Sequence, residues 1–247
     1  MDNDIRFYRC GDGALTVQFG QSIEPRVSDR VLQLDKALRA RPVPGVYETV
    51  PTYCSLLVLF DKTAVSYEAL CRSLQALAAQ PVTEADTAVR CWQIPCCYGR
   101  HFGPDIQNLC AHTGLSAEEI IRRHSAAEYR IYMLGFLPGF VYLGGLDPQL
   151  AAPRLAEPRL EIPRGAVGIG GAQTGVYPIK SPGGWQLIGN TPLDMYDPRR
   201  QQPVLCSAGD HIRFVPIGLM EYYDIRRAVI GGTYTPEYML TGRGGDA

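Results

Sequence analysis

Several features that would assign a class of function are missing from this sequence. No run approaches the ~20 apolar residues that a membrane-crossing helix needs. The opening stretch, MDNDIRFYRC, carries acidic side chains where a signal peptide has basic ones. The net charge is −1 and no basic stripe occurs, which argues against a nucleic-acid-binding surface. We therefore expect a cytoplasmic protein without membrane or nucleic-acid partners.

Ligand pairs for a metal ion are missing as well. The eight cysteines form no C-x-x-C pair, and the four histidines supply no closely spaced ligands. Cys96 and Cys97 are adjacent, which is poor geometry for an ordinary disulfide. We expect reduced, mostly buried thiols and no metal site.

The sequence does contain enough apolar material for a substantial core. Its 247 residues are 46% hydrophobic, which suits one large domain or two small ones. In the first third of the chain, the pattern of two strands followed by a helix occurs twice. The predicted strands lie at 5–9, 14–19, 46–50 and 55–60, and the predicted helices lie at 25–40 and from Ser66 onward. This order predicts a small α/β sandwich with helices on one face of a mainly antiparallel sheet.

The second part of the chain has a different texture. Helices are predicted at 105–112 and 116–124, the latter with Ser116 and Glu119 as a capping box. Beyond Tyr129, glycines and prolines separate short apolar runs that are typical of strands in a barrel or sandwich, ending with VLC, HIRFVPI and LMEYYDI. We predict an α+β protein with an N-terminal domain at 1–84, a linker at 81–87, a β-barrel domain at 88–247 and a disordered tail at 241–247.

The stretch GGAQTGVYPIKSPGGW at 170–185 raises the question of a phosphate loop. Such a loop needs a lysine where Val176 stands, and a helix where VYPI follows. The dinucleotide pattern fails too, because Gln173 occupies its third glycine position. The simplest interpretation is a set of tight turns, with Gly171 and Gly175 at positive φ and a proline-initiated turn at 181–184.

Polar groups are nevertheless concentrated among these glycines. Glycines let a ligand approach the backbone, and amide, hydroxyl and indole groups fix a small polar substrate by hydrogen bonds. The groups in question belong to Gln173, Thr174, Tyr177, Ser181, Trp185 and Asn190.

Three segments carry a family resemblance that covers about residues 5 to 227. They are IPCCYGRHFGPD (94–105), MLGFLPGFVYLGGL (133–146) and IPRGAVGIGGAQTGVYPIKSPGGWQLIGNTPL (162–193). The chain resembles the KipI / allophanate hydrolase subunit 1 family, and within it the 5-oxoprolinase branch. The resemblance implies a small α/β sandwich followed by a cyclophilin-like β-barrel.

The same resemblance implies a function within a complex. A homologous carboxyltransferase-like subunit (KipA-like) and a lactam-utilisation subunit are the implied partners, and the implied reaction is the ATP-dependent opening of 5-oxoproline to L-glutamate. ATP is expected at the level of the complex, since no complete ATP site is visible in this sequence. Two alternatives stay open: an inhibitor that binds a sensor histidine kinase, and half of a biotin-dependent carboxyltransferase like that of urea amidolyase.

Opening a lactam would benefit from hydrogen-bond donors aimed at the developing oxyanion. We expect these donors to be Gln173, Thr174 and the backbone amides of Gly171 and Gly175. We expect Phe136, Phe140 and Tyr142 to form an apolar wall against the ring, although each could instead be plain barrel core. The other side chains expected to bind substrate are those of Tyr177, Ser181 and Trp185.

Asp105 is the best carboxylate candidate for acid–base catalysis. Its alternative role is the N-cap of the helix that follows Pro104. Arg164 could meet a carboxylate, or could be an exposed turn residue. We interpret His112, His124 and His211 as structural and assign Lys180 no catalytic role.

Overall fold

The computed structural model describes residues 5–80 and 88–242, which belong to two compact units that divide between residues 87 and 88. The linker predicted at 81–87 lies outside the described residues, as do 243–247 of the predicted tail. Among the described residues, no helix has both the length and the apolarity required to cross a membrane.

The first unit is a four-stranded antiparallel sheet with two helices. Its strands lie in the order β1-β2-β4-β3, and both helices bury apolar side chains in the same core as β2 and β4. The elements are β1 (Arg6–Arg9), β2 (Ala14–Gln18), α1 (Pro25–Ala40), β3 (Val46–Pro51), β4 (Ser55–Phe60) and α2 (Tyr67–Ala78). The predicted order of strands and helices is confirmed.

Helix α2 shows how local sequence produces this packing. The Ser66 hydroxyl accepts a hydrogen bond from the Ala69 N–H, which satisfies one of the unpaired amides of the first turn. Leu70, Leu74 and Leu77 then follow at helical spacing and are all buried.

The second unit is dominated by one larger sheet. Its strand order is β10-β9-β12-β5-β13-β6-β7, with β14 also paired to β5, while β8 and β11 form a separate two-stranded sheet. The bounds are β5 (Ala88–Tyr98), α3 (Ile106–Thr113), α4 (Ala117–Ala126), β6 (Tyr129–Leu134), β7 (Val141–Gly144), β8 (Arg159–Ile162), β9 (Ala166–Gly170), β10 (Gln173–Val176), β11 (Ser181–Gly183), β12 (Gln186–Asn190), β13 (His211–Pro216), α5 (Leu219–Ile230) and β14 (Tyr238–Gly242).

The larger sheet nearly closes into a barrel. Strands β7 and β10 stand at the two ends of the strand order, yet they lie side by side. Side chains from nearly every strand fill the interior, among them Ile94, Ile131, Ile169 and Phe214. The α+β class with a barrel-like second part is confirmed.

Three local predictions for this unit are wrong. The run LMEYYDI lies in α5, because Tyr222, Ile225 and Val229 recur at helical spacing and pack inward. The turn expected at 181–184 is largely strand β11, because its backbone pairs with β8. The tail expected to be disordered from Thr241 begins inside β14, which pairs with β5 through Gly242.

The capping box at the start of α4 is borne out in its main contact. The Ser116 hydroxyl accepts the Glu119 N–H, and Glu118 and Glu119 place negative charge in the first turn.

Candidate functional site

The glycine-rich stretch begins with a two-residue hairpin between β9 and β10. Gln173 pairs with Gly170, so Gly171 and Ala172 form the turn, and Gly171 has φ +64°. The Gly171 N–H donates to the Ala152 carbonyl at 2.7 Å, and the Ala152 N–H donates back at 3.2 Å. The Gly171 amide is thus committed inside the protein, contrary to the expectation that it is available to an oxyanion.

The next glycines make room for an aromatic ring. Gly175 does not have positive φ, so that prediction is wrong. A Cβ atom there would lie 3.1 Å from Trp185 Cζ3 and 3.2 Å from the Val141 carbonyl oxygen, and one on Gly170 would overlap the same indole. These positions lack side chains because the Trp185 ring, only 5% exposed, lies across them.

Thr174 points into the core on the other side of β10. It is fully buried, and its Oγ1 donates to the Gly168 carbonyl at 3.0 Å and lies 2.8 Å from His124 Nε2. His124 Nδ1 in turn lies 2.8 Å from the Tyr98 hydroxyl. The Thr174 hydroxyl is therefore already engaged on both sides, which suits it to positioning β10 better than to contacting a substrate.

The hydrogen bonds that link Tyr98, His124 and Thr174 fix the tautomer of His124. Since the Thr174 hydroxyl gives its proton to Gly168, Nε2 of His124 must be the N–H donor to Thr174, and Nδ1 accepts from Tyr98. Complete burial lowers the pKa of His124 to about 3, so the imidazole is neutral near pH 7. A structural role for His124, as expected from the sequence, agrees with this geometry.

Asp105 is also tied into the interior. Its Oδ1 accepts from Arg159 Nη2 at 2.6 Å, its Oδ2 accepts from the Leu187 N–H at 2.7 Å, and only 3% of the residue is exposed. Asp105 occupies the N-cap position of α3, as the alternative interpretation held, but its side chain makes no capping hydrogen bond. The carboxylate instead fastens Arg159 to strand β12.

An aromatic cluster stands beside the Trp185 ring. The Phe140 ring makes edge-type contacts at centroid distances of 5.2–5.7 Å with Phe136, Tyr142, Tyr177 and Trp185. All five residues are ones that the sequence predicts to bind substrate, and the structure brings them together. Phe140, Tyr177 and Trp185 are buried, but in an apolar cluster separate from the one that fills the barrel, so they are not plain barrel core.

Phe136 is the exposed member of this cluster. It lies between β6 and β7 in the segment Gly135–Gly139, is 64% exposed and has φ +65°, which a phenylalanine adopts at a cost in energy. Strained backbone conformations cluster at functional sites, and here one holds a large apolar side chain toward the solvent.

The two-stranded sheet of β8 and β11 packs next to the aromatic cluster through Ile162. Ser181 is 8% exposed, and its Oγ has no hydrogen-bond partner among the described residues. Burial raises the pKa of Tyr177, while the backbone N–H of Trp185 and the charges of Arg154 and Arg159 act in the opposite direction. The Tyr177 hydroxyl thus lies within the field of two arginines.

Sequence reasoning missed Arg159 and underestimated Arg164. Arg159 lies in a proline-rich stretch with no motif around it, so no local signal could have selected it. Arg164 is half-buried, pairs with Asp194 at 2.9 Å and donates to the Leu193 carbonyl at 2.6 Å. Arg226 pairs with the same Asp194 oxygen, so Arg164 is an internal tie and not an exposed turn residue.

Gln173 is the first residue of β10 after the hairpin turn. It is partly exposed at the start of β10, opposite Gly170.

Within residues 5–80 and 88–242, no group of three histidine, cysteine or acidic side chains could hold a metal ion. All eight cysteines are unpaired, and four of them, Cys91, Cys96, Cys97 and Cys206, are buried.

The fold and the glycine-rich hairpin define a known class of protein. Residues 5–206 match the family model of the carboxyltransferase domain, subdomain C and D, and the chain belongs to this family. Among its relatives, the B-type subunit of 5-oxoprolinase from Bacillus subtilis (strain 168) is 41% identical over 225 residues, which cover 87% of this chain and 94% of that protein.

Two solved structures share the fold. TTHA0988 superposes with a TM-score of 0.75 at 35% identity over 83% of this chain, which spans only 40% of the length of TTHA0988. The Kluyveromyces lactis urea amidolyase gives a TM-score of 0.75 over 96% of this chain and 16% of its own, at 19% identity, which shows the fold alone.

Proposed function

We propose that this chain is the B-type subunit of an ATP-dependent 5-oxoprolinase, which opens the lactam of 5-oxoproline to L-glutamate. The observation that carries the proposal is the 41% identity to a protein of that name over almost the full length of both. Its partners in the proposal are a homologous carboxyltransferase-like subunit, of the KipA-like type, and a lactam-utilisation subunit. ATP acts at the level of this complex.

The chemistry gives the aromatic cluster and the hairpin their roles in the proposal. A lactam is a resonance-stabilised amide that water attacks slowly. Transfer of phosphate from ATP to its oxygen, with release of ADP, would activate the ring carbon; water would then add, the ring C–N bond would break to free the amine, and hydrolysis of the acyl phosphate would release phosphate. Phe136, Phe140 and Tyr142 would offer an apolar wall to the ring, and Gln173 would donate to the developing negative charge on oxygen. Thr174 and Asp105 would act indirectly, by holding β10 and Arg159 in place.

A second candidate function is half of a biotin-dependent carboxyltransferase. The family model itself is that of a carboxyltransferase domain, and the urea amidolyase shares the fold. In that reaction the same site would place an acceptor amide beside carboxylated biotin, and no lactam would be opened.

Reconstitution distinguishes these functions. The chain is co-expressed with its two partner subunits, and glutamate and ADP are measured after 5-oxoproline and ATP are added. We expect release that requires all three subunits. Carboxyl transfer from carboxybiotin without glutamate release would favour the second function, and binding to a sensor kinase without either activity would favour the inhibitor alternative.

Variants then test the site itself. Gln173→Ala in the assembled complex should lower kcat about 100- to 1,000-fold if its amide stabilises the oxyanion. Gln201→Ala, at an exposed position in the same unit, is the matched control and should leave turnover unchanged. An unchanged kcat in a folded Gln173→Ala complex would remove Gln173 from the mechanism.

A further inference from the structure

Two buried polar atoms near the aromatic cluster lack a role inside the protein. Ser181 Oγ and Arg159 Nη1 are both buried atoms with no hydrogen-bond partner among the described residues. Leaving a buried donor unpaired is unfavourable, and native proteins rarely do so without a reason. A ligand that accepts hydrogen bonds from both atoms would supply the reason.

A β-bulge puts the two side chains on the same face. Ser181 pairs with Ile162 and Gly183 with Arg159, so four residues of β8 oppose three of β11. Leu160 and Glu161, between the two paired positions, are exposed, while Arg159 and Ile162 turn inward. In a regular strand, residues three positions apart point to opposite faces, so Arg159 and Ile162 share a face because of the bulge.

The inward face meets the aromatic cluster. Ile162 packs with Phe140, Tyr177 and Trp185 in one apolar group. A Cβ atom on Gly183 would lie 2.5 Å from the Tyr177 hydroxyl, so the absence of a side chain there leaves room for that hydroxyl. The strand pair that carries Arg159 and Ser181 thus also packs against the aromatic cluster.

Asp105 engages one of the two terminal nitrogens of the Arg159 guanidinium. Nη2 is held by Asp105, whereas Nη1 has no partner among the described residues, and 30% of the side chain is exposed. A guanidinium matches the geometry of a carboxylate, and hydrogen bonds to an ionised acceptor are the strong ones. The positive charge of Arg154 also lowers the pKa of the Tyr177 hydroxyl, so a second arginine acts on this part of the unit.

We propose that Arg159 Nη1 and Ser181 Oγ bind the carboxylate of the substrate, while the aromatic cluster contacts its ring. This inference rests on the proposed function, because 5-oxoproline is the small cyclic amide that carries such a carboxylate. The anion then anchors the substrate on this chain and sets which lactams are accepted.

The sharpest variant is Ser181→Ala in the reconstituted complex. Because the hydroxyl bonds none of the described residues, its removal should leave the melting temperature unchanged or raise it. The KM for 5-oxoproline should rise about tenfold or more, with kcat nearly unchanged, as expected for one lost hydrogen bond to a charged group. The KM for 5-oxoprolinamide, which lacks the anion, should change less than about twofold.

Arg159→Lys and Lys180→Gln complete the comparison. Lysine keeps the positive charge beside Asp105 but removes the forked geometry, so the KM for 5-oxoproline should rise again. Lys180 lies next to Ser181 but is exposed and paired with Glu161, so Lys180→Gln should behave as the wild type. A folded Ser181→Ala complex with an unchanged KM for 5-oxoproline would overturn the proposal.

Direct binding separates this inference from the proposed function. Calorimetry on the complex compares 5-oxoproline with 2-pyrrolidinone, which has the ring but no carboxylate. If the complex shows no turnover but binds 5-oxoproline, and Ser181→Ala weakens that binding, the carboxylate site is retained and the lactam-opening reaction is rejected. Equal affinity for both compounds, in a complex that does release glutamate, would retain the reaction and reject the site.

Discussion

His124 Nε2 lies 2.8 Å from Thr174 Oγ1, in the fully buried link between helix α4 and strand β10. Thr174→Val keeps the shape of the side chain but leaves the imidazole N–H without an acceptor. We expect it to lower the free energy of unfolding by ~1–3 kcal/mol, measured by urea denaturation. Thr174→Ser keeps the hydroxyl, so it should cost less; equal losses would show that the hydrogen bond contributes nothing.

Burial of His124 predicts a specific dependence of stability on pH. Its pKa is about 3 in the folded protein, below its ordinary value of 6.5, so between these values the unfolded chain binds a proton that the folded chain does not. Stability should therefore fall as pH decreases below 6.5, by up to ~1.4 kcal/mol per pH unit from this residue. Denaturation between pH 4.5 and 7.5 should show a shallower decrease in His124→Gln, whereas His112→Gln, at an exposed position, should follow the wild type.

The indole of Trp185 predicts which glycines tolerate a methyl group. Gly170→Ala would overlap the ring, and we expect a loss of ~1–3 kcal/mol with a red shift of tryptophan fluorescence. Gly184→Ala is the matched control, since its nearest neighbour would be Pro158 Cγ at 3.6 Å, an ordinary contact. A stable, unshifted Gly170→Ala protein would contradict the close packing of the ring.

Replacing Phe136 should affect the activity of the complex more than the stability of the fold. Phe136→Gly should relieve the positive φ and lose little burial, so we expect stability to change by less than ~1 kcal/mol, in either direction, in thermal unfolding. Turnover of the complex should fall if the exposed ring contacts substrate. Arg100→Gly removes a side chain at φ +50° elsewhere in the unit and should leave turnover intact, so equal activity in both variants would show that Phe136 is only a loop residue.

The pair of Asp105 and Arg159 should be energetically coupled. A double-mutant cycle with Asp105→Asn and Arg159→Gln should give a coupling free energy of ~1–3 kcal/mol, because either single change leaves the other group without its partner in a mostly buried place. The exposed pair of Glu161 and Lys180 serves as the control cycle and should give less than ~0.5 kcal/mol. Similar values in both cycles would mean that Asp105 does not hold Arg159.

The elements that the sequence predicted correctly are those whose signal is local. Helix α1 begins at Pro25 and ends at Ala40, as predicted from its apolar face, and Ser66 and Ser116 cap their helices as their positions indicated. Helix α5 was misread as a strand because LMEYYDI is short and apolar, and only its packing selects the helical period.

The sequence by itself determined the α+β class, the order of elements in the first unit, and the set of aromatic side chains that meet at Phe140. Only the tertiary structure decided what each polar group does. Thr174 and Asp105 are turned inward and engaged, the Gly171 amide is paired, and a bulge puts Arg159 on the same face as Ser181. The reason is physical: a hydrogen bond or a shared face between residues about 20 to 80 positions apart depends on strand register, and no local pattern in the sequence encodes register.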